Sequence, residues 1–185
     1  MSKLTAFKKS MTILITLYFL SAMTETSGQW QKHIIDDNIH IAVSVDTADL
    51  DGDGDMDVAA NLIKAGQVVR YENTYPVWTK HIIDNETDHA DFMVVADING
   101  NGSPDIATAG NAIEGGDVVW YENNHPEWIK HVIDSNIYGP RFLIFMDVNG
   151  DNYRDAVVTA DSSVVWYKHP GESIITERSE DKIDR

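Results

Sequence analysis

The chain has 185 residues, 43% of them hydrophobic and 9% aromatic, which suits one modest globular domain and excludes a disordered chain. Its formal net charge of −16 at pH 7 argues against nucleic acid or an anionic membrane as partner and favours divalent cations. Cysteine is absent, so disulfides cannot staple the fold.

The first element in chain order is a targeting segment. Lys3, Lys8 and Lys9 precede the apolar run "MTILITLYFLSAM" (Met11 to Met23), after which small and polar residues follow. A basic stretch, a short apolar stretch and small residues near a cut site form the pattern of a secretory signal peptide. Residues 1–28 are assigned to it, with an uncleaved N-terminal anchor as the alternative. The run is shorter than the ~20 apolar residues of a membrane span, and no later segment reaches that length. The mature chain would carry 11 basic and 29 acidic side chains, about −18 in all. Its expected location is secreted, extracellular or periplasmic.

Beyond the leader, three markers recur in the same order. "WQKHIID" begins at Trp30, "WTKHIID" at Trp78 and "WIKHVID" at Trp128, spaced by 48 and 50 residues. An acidic stretch follows each start: "DLDGDGDMD" from Asp49, "DINGNGSPD" from Asp97 and "DVNGDNYRD" from Asp147. A third marker closes the unit: "GQVVRYEN" to Asn73, "GDVVWYEN" to Asn123 and "SSVVWYKH" to His169. Three markers in three copies make internal repetition the strongest inference from the sequence.

Each unit offers short apolar or β-branched runs bounded by Gly, Asn and Pro. In the second copy they are "DFMVVAD", "DIATAG", "GDVVWYEN" and "EWIKHVID". Such runs predict strands. No apolar period of 3.6 persists over three turns. "FMVVA" and "FLIFM" are apolar at consecutive positions, so both faces of those strands are expected to be buried. Four-stranded units of roughly 40 to 50 residues predict an all-β fold of propeller type. It would comprise three four-stranded antiparallel blades over about 29–84, 85–134 and 135–169, then a polar tail at 170–185.

The acidic stretches place oxygen-bearing side chains at positions 1, 3, 5 and 9. They are Asp49, Asp51, Asp53 and Asp57; Asp97, Asn99, Asn101 and Asp105; and Asp147, Asn149, Asp151 and Asp155. In the first stretch no Lys or Arg follows closely, so its carboxylates repel one another. Position 6 is Gly54, Gly102 or Asn152, types that tolerate a left-handed backbone. Position 7 is Asp55, Ser103 or Tyr153, unrelated side chains, which points to use of the backbone carbonyl there. Hard oxygens at this spacing suit Ca²⁺, which takes about 6 to 8 of them. Up to three sites are expected, one per unit, with the first strongest because it has most carboxylates. A helix-flanked calcium loop fits poorly: its position-12 Glu is replaced by Ala60, Thr108 and Val158, and the flanks predict strands. Ordinary Asp/Asn/Gly turns are the plain alternative.

The pattern D-x-D/N-x-D/N-G-x-x-D between strands resembles the FG-GAP and VCBS-type repeats of integrin-like β-propellers, from about Trp30 to His169. The resemblance implies that each loop joins the first two strands of a blade and binds Ca²⁺ through the positions just named. Two departures are Asn152 in place of glycine and a blade number too small to close a ring.

His33, His81 and His131 recur, but without a second His or Cys at metal-ligand spacing. A bond to a neighbouring blade is the expectation for them. Trp30, Trp78 and Trp128 are expected to pack between blades, with Tyr71, Tyr121 and Tyr167 in an equivalent place. Trp120 and Trp166, replaced by Arg70 in the first unit, are the candidates for stacking on sugars. No G-x-S-x-G, H-E-x-x-H or P-loop pattern occurs, and no catalytic set is recognisable. "NET" at Asn85 is a glycosylation sequon for hosts that use one.

The chain begins with a spare outer strand and ends without one, "ESIITE" being a weak substitute. Either two copies complete each other as a six-bladed homodimer, or the chain is a shortened relative of a longer propeller. The function expected is a secreted calcium-binding module that binds or scaffolds a protein or glycan ligand. The alternatives are the propeller part of a secreted carbohydrate-active enzyme (polysaccharide lyase or sugar dehydratase-like) and a calcium sensor.

Overall fold

The computed structural model describes residues 28–87, 90–110 and 115–171. The leader up to residue 27 and the tail from residue 172, with "ESIITE", lie outside the described residues. The chain divides into two units, Met1–Ile34 and Ile35–Arg185. In the first, residues 28–34 form no helix or strand and the Trp30 side chain is exposed. The expected outer strand at Trp30 is therefore absent. A single strand without a paired neighbour has nothing to satisfy its backbone but water.

The second unit is all-β. Strands β1 (Ala42–Ala48), β2 (Asp57–Leu62), β3 (Gln67–Thr74) and β4 (Val77–Asp84) form one antiparallel sheet in chain order. Strands β5 (Ala90–Ala96), β6 (Asp105–Gly110), β7 (Gly116–Asn124) and β8 (Glu127–Ile137) repeat that order in a second sheet. Strands β9 (Phe142–Met146), β10 (Asp155–Ala160) and β11 (Ser163–Tyr167) make a third. The expected four-four-four arrangement is thus four-four-three among the described residues. Residues 168–171, "KHPG", form no strand after β11.

The second sheet is buried on both faces. All six residues of β6 are buried, and its side chains alternate between two cores. Ile106 packs with Leu50, Val68, Met93, Val119 and Tyr121 toward the first sheet. Ala107 and Ala109 pack with Val118, Leu143, Ala156 and Val158 toward the third. Small residues on the central strands let the sheets approach closely. Each fully buried Leu or Val contributes about 1.5–3 kcal/mol.

Polar contacts lock the first two sheets in register. The Met93 and Val95 N–H groups on β5 donate to Ser44 Oγ at 2.9 Å and Asp46 Oδ2 at 2.8 Å, both on β1. These side chains satisfy donors on an edge strand that backbone pairing would leave free.

The two end sheets differ from the middle one. Val43 and Val45 on β1, and Phe142, Ile144 and Met146 on β9, are exposed, as are Val164 and Trp166 on β11. The expectation that "FLIFM" is buried on both faces is corrected, since only Leu143 is buried in that strand. Its other face has no sheet against it among the described residues.

Candidate metal centre

The three acidic stretches are the loops β1–β2, β5–β6 and β9–β10. Each is folded by its own side chains. Asp49 accepts the Gly52 N–H at 2.7 Å and the Gly54 N–H at 3.0 Å. Asp97 accepts the Gly102 N–H at 3.1 Å, and Asp147 the Gly150 and Asn152 N–H groups at 2.7 and 2.9 Å. Positions 3 and 5 add shorter turns: Asp51 to the Asp53 N–H, Asp53 to Asp55, Asn99 to Asn101, Asn101 to Ser103, Asn149 to Asp151 and Asp151 to Tyr153. Position 6 is left-handed throughout, with φ of +97° at Gly54, +90° at Gly102 and +68° at Asn152. Asn152 adopts this backbone because its short side chain tolerates it.

Position 9 is more deeply buried than positions 1, 3 and 5. Asp57, Asp105 and Asp155 open the central strands and are fully buried. Asp57 takes the Leu50 and Asn73 N–H groups, Asp105 those of Ile98 and Asn123, and Asp155 those of Val148 and His169. Asp57 and Asp105 therefore tie their loops to the third strand of the same sheet, and Asp155 ties its loop to the segment just after β11. Burial pushes the Asp57 and Asp105 carboxyls above the usual range despite these donors.

Asp49, Asp51 and Asp53 bring carboxylate oxygens within 4.8 Å of one another. That crowding is relieved in part by a residue distant in sequence. Arg70 on β3 is buried, with Nη1 at 2.9 Å from Asp51 Oδ2 and 3.2 Å from Asp57 Oδ2, and Nη2 at 3.4 Å from Glu72 Oε2. Burial alone would raise the Asp51 carboxyl, but the Asp53 N–H and Arg70 hold it below the usual range. The first loop thus carries a cation of its own. In the third loop Lys168 Nζ lies 3.1 Å from Asp151 Oδ2. The second loop has no such cation among the described residues, and the buried Oδ1 of Asp97 has no hydrogen-bond donor there. A buried carboxylate oxygen without a donor is costly, and a cation is the partner its chemistry fits.

Compared with known proteins, the chain matches no family model, no curated protein and no solved structure.

The structure also reveals a relay that the sequence reading missed. Tyr71 Oη donates to Asp36 Oδ2 at 2.9 Å, Tyr121 Oη to Asp84 at 2.9 Å and Tyr167 Oη to Asp134 at 2.7 Å. Each aspartate ends a Trp-Lys-His motif, and Tyr121 and Tyr167 lie in the unit after that of their aspartate, whereas Asp36 and Tyr71 share the first. Lys80 and Lys130 join the first two pairs, at 3.8 Å from Asp36 and 2.7 Å from Asp84. Burial and the carboxylate neighbours push all three tyrosines far above their ordinary range. The shared "D" of each motif and "Y" of "VV-x-Y" were the available signal.

Two further expectations need correction. His81 and His131 bond within their own sheets, to Glu72 at 2.7 Å and Glu122 at 2.8 Å, not to a neighbour. Of the tryptophans, Trp128 packs between the first and second sheets, whereas Trp78 packs on the outward face of the first. One face of Trp120 is covered by the His131 ring at a centroid distance of 4.3 Å. Trp166 remains half exposed.

Proposed function

We propose that the protein is an exported, calcium-binding β-propeller module of the FG-GAP/VCBS type that binds or scaffolds a protein or glycan ligand. On this reading its three sheets are blades, and each β1–β2-type loop holds one Ca²⁺. Asp49, Asp51, Asp53 and Asp55 would serve the first site. Asp97, Asn99, Asn101 and Ser103 would serve the second, and Asp147, Asn149, Asp151 and Tyr153 the third. Asp57, Asp105 and Asp155 would belong to the same three sites and also anchor the loops from behind.

The observation that carries the reading is Asp97. Its Oδ2 holds the loop closed through the Gly102 N–H, while its Oδ1 is buried without a donor among the described residues. The bound ion supplies positive charge there, and the pre-folded backbone limits the ordering that binding would require. Arg70 and Lys168 already offset charge in the other two loops, so the second loop has the greatest unmet demand although it has fewer carboxylates.

Calorimetric titration of EDTA-dialysed protein tests this. Ca²⁺ should bind with a stoichiometry between one and three. It should stabilise the fold by about 2.7 kcal/mol per site at a hundredfold excess over Kd. Asp97→Asn should remove one site while leaving the chelated protein folded. No heat of binding and no thermal shift in millimolar Ca²⁺ would refute calcium binding.

A further inference from the structure

We propose that two copies of this chain pair by strand exchange, the segment Trp30–Asp36 of each becoming the fourth strand of the other's third sheet. Asp36 fills a hydrogen-bond position without the sheet that accompanies it elsewhere among the described residues. Asp84 ends β4 of the first sheet and bonds Tyr121 of the second; Asp134 belongs to β8 of the second and bonds Tyr167 of the third. Asp36 bonds Tyr71 of the first sheet in the same way. It therefore stands where the fourth strand of a preceding sheet would end.

The third sheet has the complementary deficit. Among the described residues β11 is an edge strand, whereas β3 and β7 each have a fourth strand beside them. Asp36 and Asp84 each receive a tyrosine and a lysine, but Asp134 has Tyr167 and no lysine among the described residues. Lys32 is the remaining lysine of that series. The clefts differ in the same sense. The one between the first and second sheets, about 330 Å³, includes Trp128 from the fourth strand. The one between the second and third, about 530 Å³, is lined by Trp120, His131, Trp166 and Tyr167 and has no fourth-strand tryptophan. Trp30 is the residue to fill it.

Pairing in the second sheet fixes the register. Tyr121 faces Lys130, Trp120 faces His131 and Asn123 faces Trp128. Transferred to β11, Tyr167 would face Lys32, Trp166 would face His33 and His169 would face Trp30. Lys32 then reaches Asp134, and His33 stacks on Trp166 as His131 does on Trp120.

The strand must come from a second copy. Asp36, the last residue of the segment, is held at Tyr71 of the first sheet of its own chain. Its own β11 lies beyond the second sheet, about two inter-sheet spacings of ~10 Å away. Exchange would also cover exposed Val164, Trp166 and the outward face of the first sheet, and it requires no metal.

Cysteine pairs test the register, because the chain has none of its own. Gln31 and Lys168 would be directly opposed, within disulfide distance. Full-length chains carrying Gln31→Cys and Lys168→Cys separately, mixed and oxidised, should form a covalent heterodimer in at least tenfold excess over a Gln31→Cys and Val165→Cys mixture. Trp30→Ala should weaken the dimer at least tenfold by sedimentation equilibrium, with the circular dichroism of the sheets unchanged. Equal cross-linking of the two mixtures, or a folded monomer at tens of micromolar, overturns the proposal. Both outcomes are independent of Ca²⁺, so calcium binding and strand exchange stand or fall separately.

Discussion

Replacing Arg70 with methionine isolates what a built-in cation contributes to the first acidic loop. The methionine stem fills most of the volume of the arginine stem, so packing on β3 is largely retained. What disappears is the guanidinium within 2.9 Å of Asp51 and 3.2 Å of Asp57, in a site where its side chain is only 5% exposed. Removing one partner of a buried pair leaves the other charge uncompensated, at a cost of about 3–5 kcal/mol. Asp57 retains the Leu50 and Asn73 N–H groups, which places the expected loss near the lower end, about 3 kcal/mol. For a domain of this size that is a fall in melting temperature of about 6–12 °C. Thermal and urea denaturation in EDTA give the number. Repeating the pair in millimolar Ca²⁺ adds a second reading, since a bound ion near Asp51 would take over the role of the guanidinium and shrink the deficit. A loss below 1 kcal/mol in EDTA would refute the reasoning, because it would mean that Asp51 and Asp57 are well served without Arg70.

Tyr121→Phe removes the hydroxyl that donates to Asp84 and leaves the ring in place. Urea denaturation should show a loss of about 1.5–3 kcal/mol, the range for a hydrogen bond to a charged group, while Tyr75→Phe at an exposed site should change nothing. Gly116→Ala places a methyl group against the Gly110 carbonyl oxygen and the Pro140 ring. Backbone cannot yield as a flexible side chain can, so the melting temperature should fall well beyond the effect of helix- or strand-propensity changes, and unchanged stability would sink the argument. For pH, burial opposes the charged form of Asp84, but Lys130, the Glu86 N–H and Tyr121 prevail and hold its carboxyl below 3.8. A group lowered in the fold stabilises above its unfolded value and loses that contribution as pH falls through the folded one. Stability from Asp84 should therefore be level at pH 6 and decline below about pH 4, and Asp84→Asn should flatten that part of the acid denaturation curve.

Strand identity and loop chemistry were legible in the sequence because both are local. "DIATAG" and "GDVVWYEN" predict β6 and β7 closely, since β-branched runs bounded by turn residues need only adjacent partners. Gly54, Gly102 and Asn152 were likewise readable, because residue type alone limits which positions take a left-handed backbone. Burial was less legible. "FMVVA" and "FLIFM" look alike, yet β5 lies in a sheet covered on both sides and β9 in one covered on a single side.

By itself the sequence determined three repeated units, their strands and the acidic loops between them, all set by spacing and side-chain type over a few residues. Tertiary structure alone decided which loop receives a cation from the protein. Arg70 stands thirteen residues beyond Asp57 and reaches it only because β2 and β3 pair. Tertiary structure also decided that the Tyr121–Asp84 and Tyr167–Asp134 bonds join two units and that the end sheets expose one face among the described residues. Those outcomes depend on which sheet faces which, and no window of sequence short enough to read locally contains both partners.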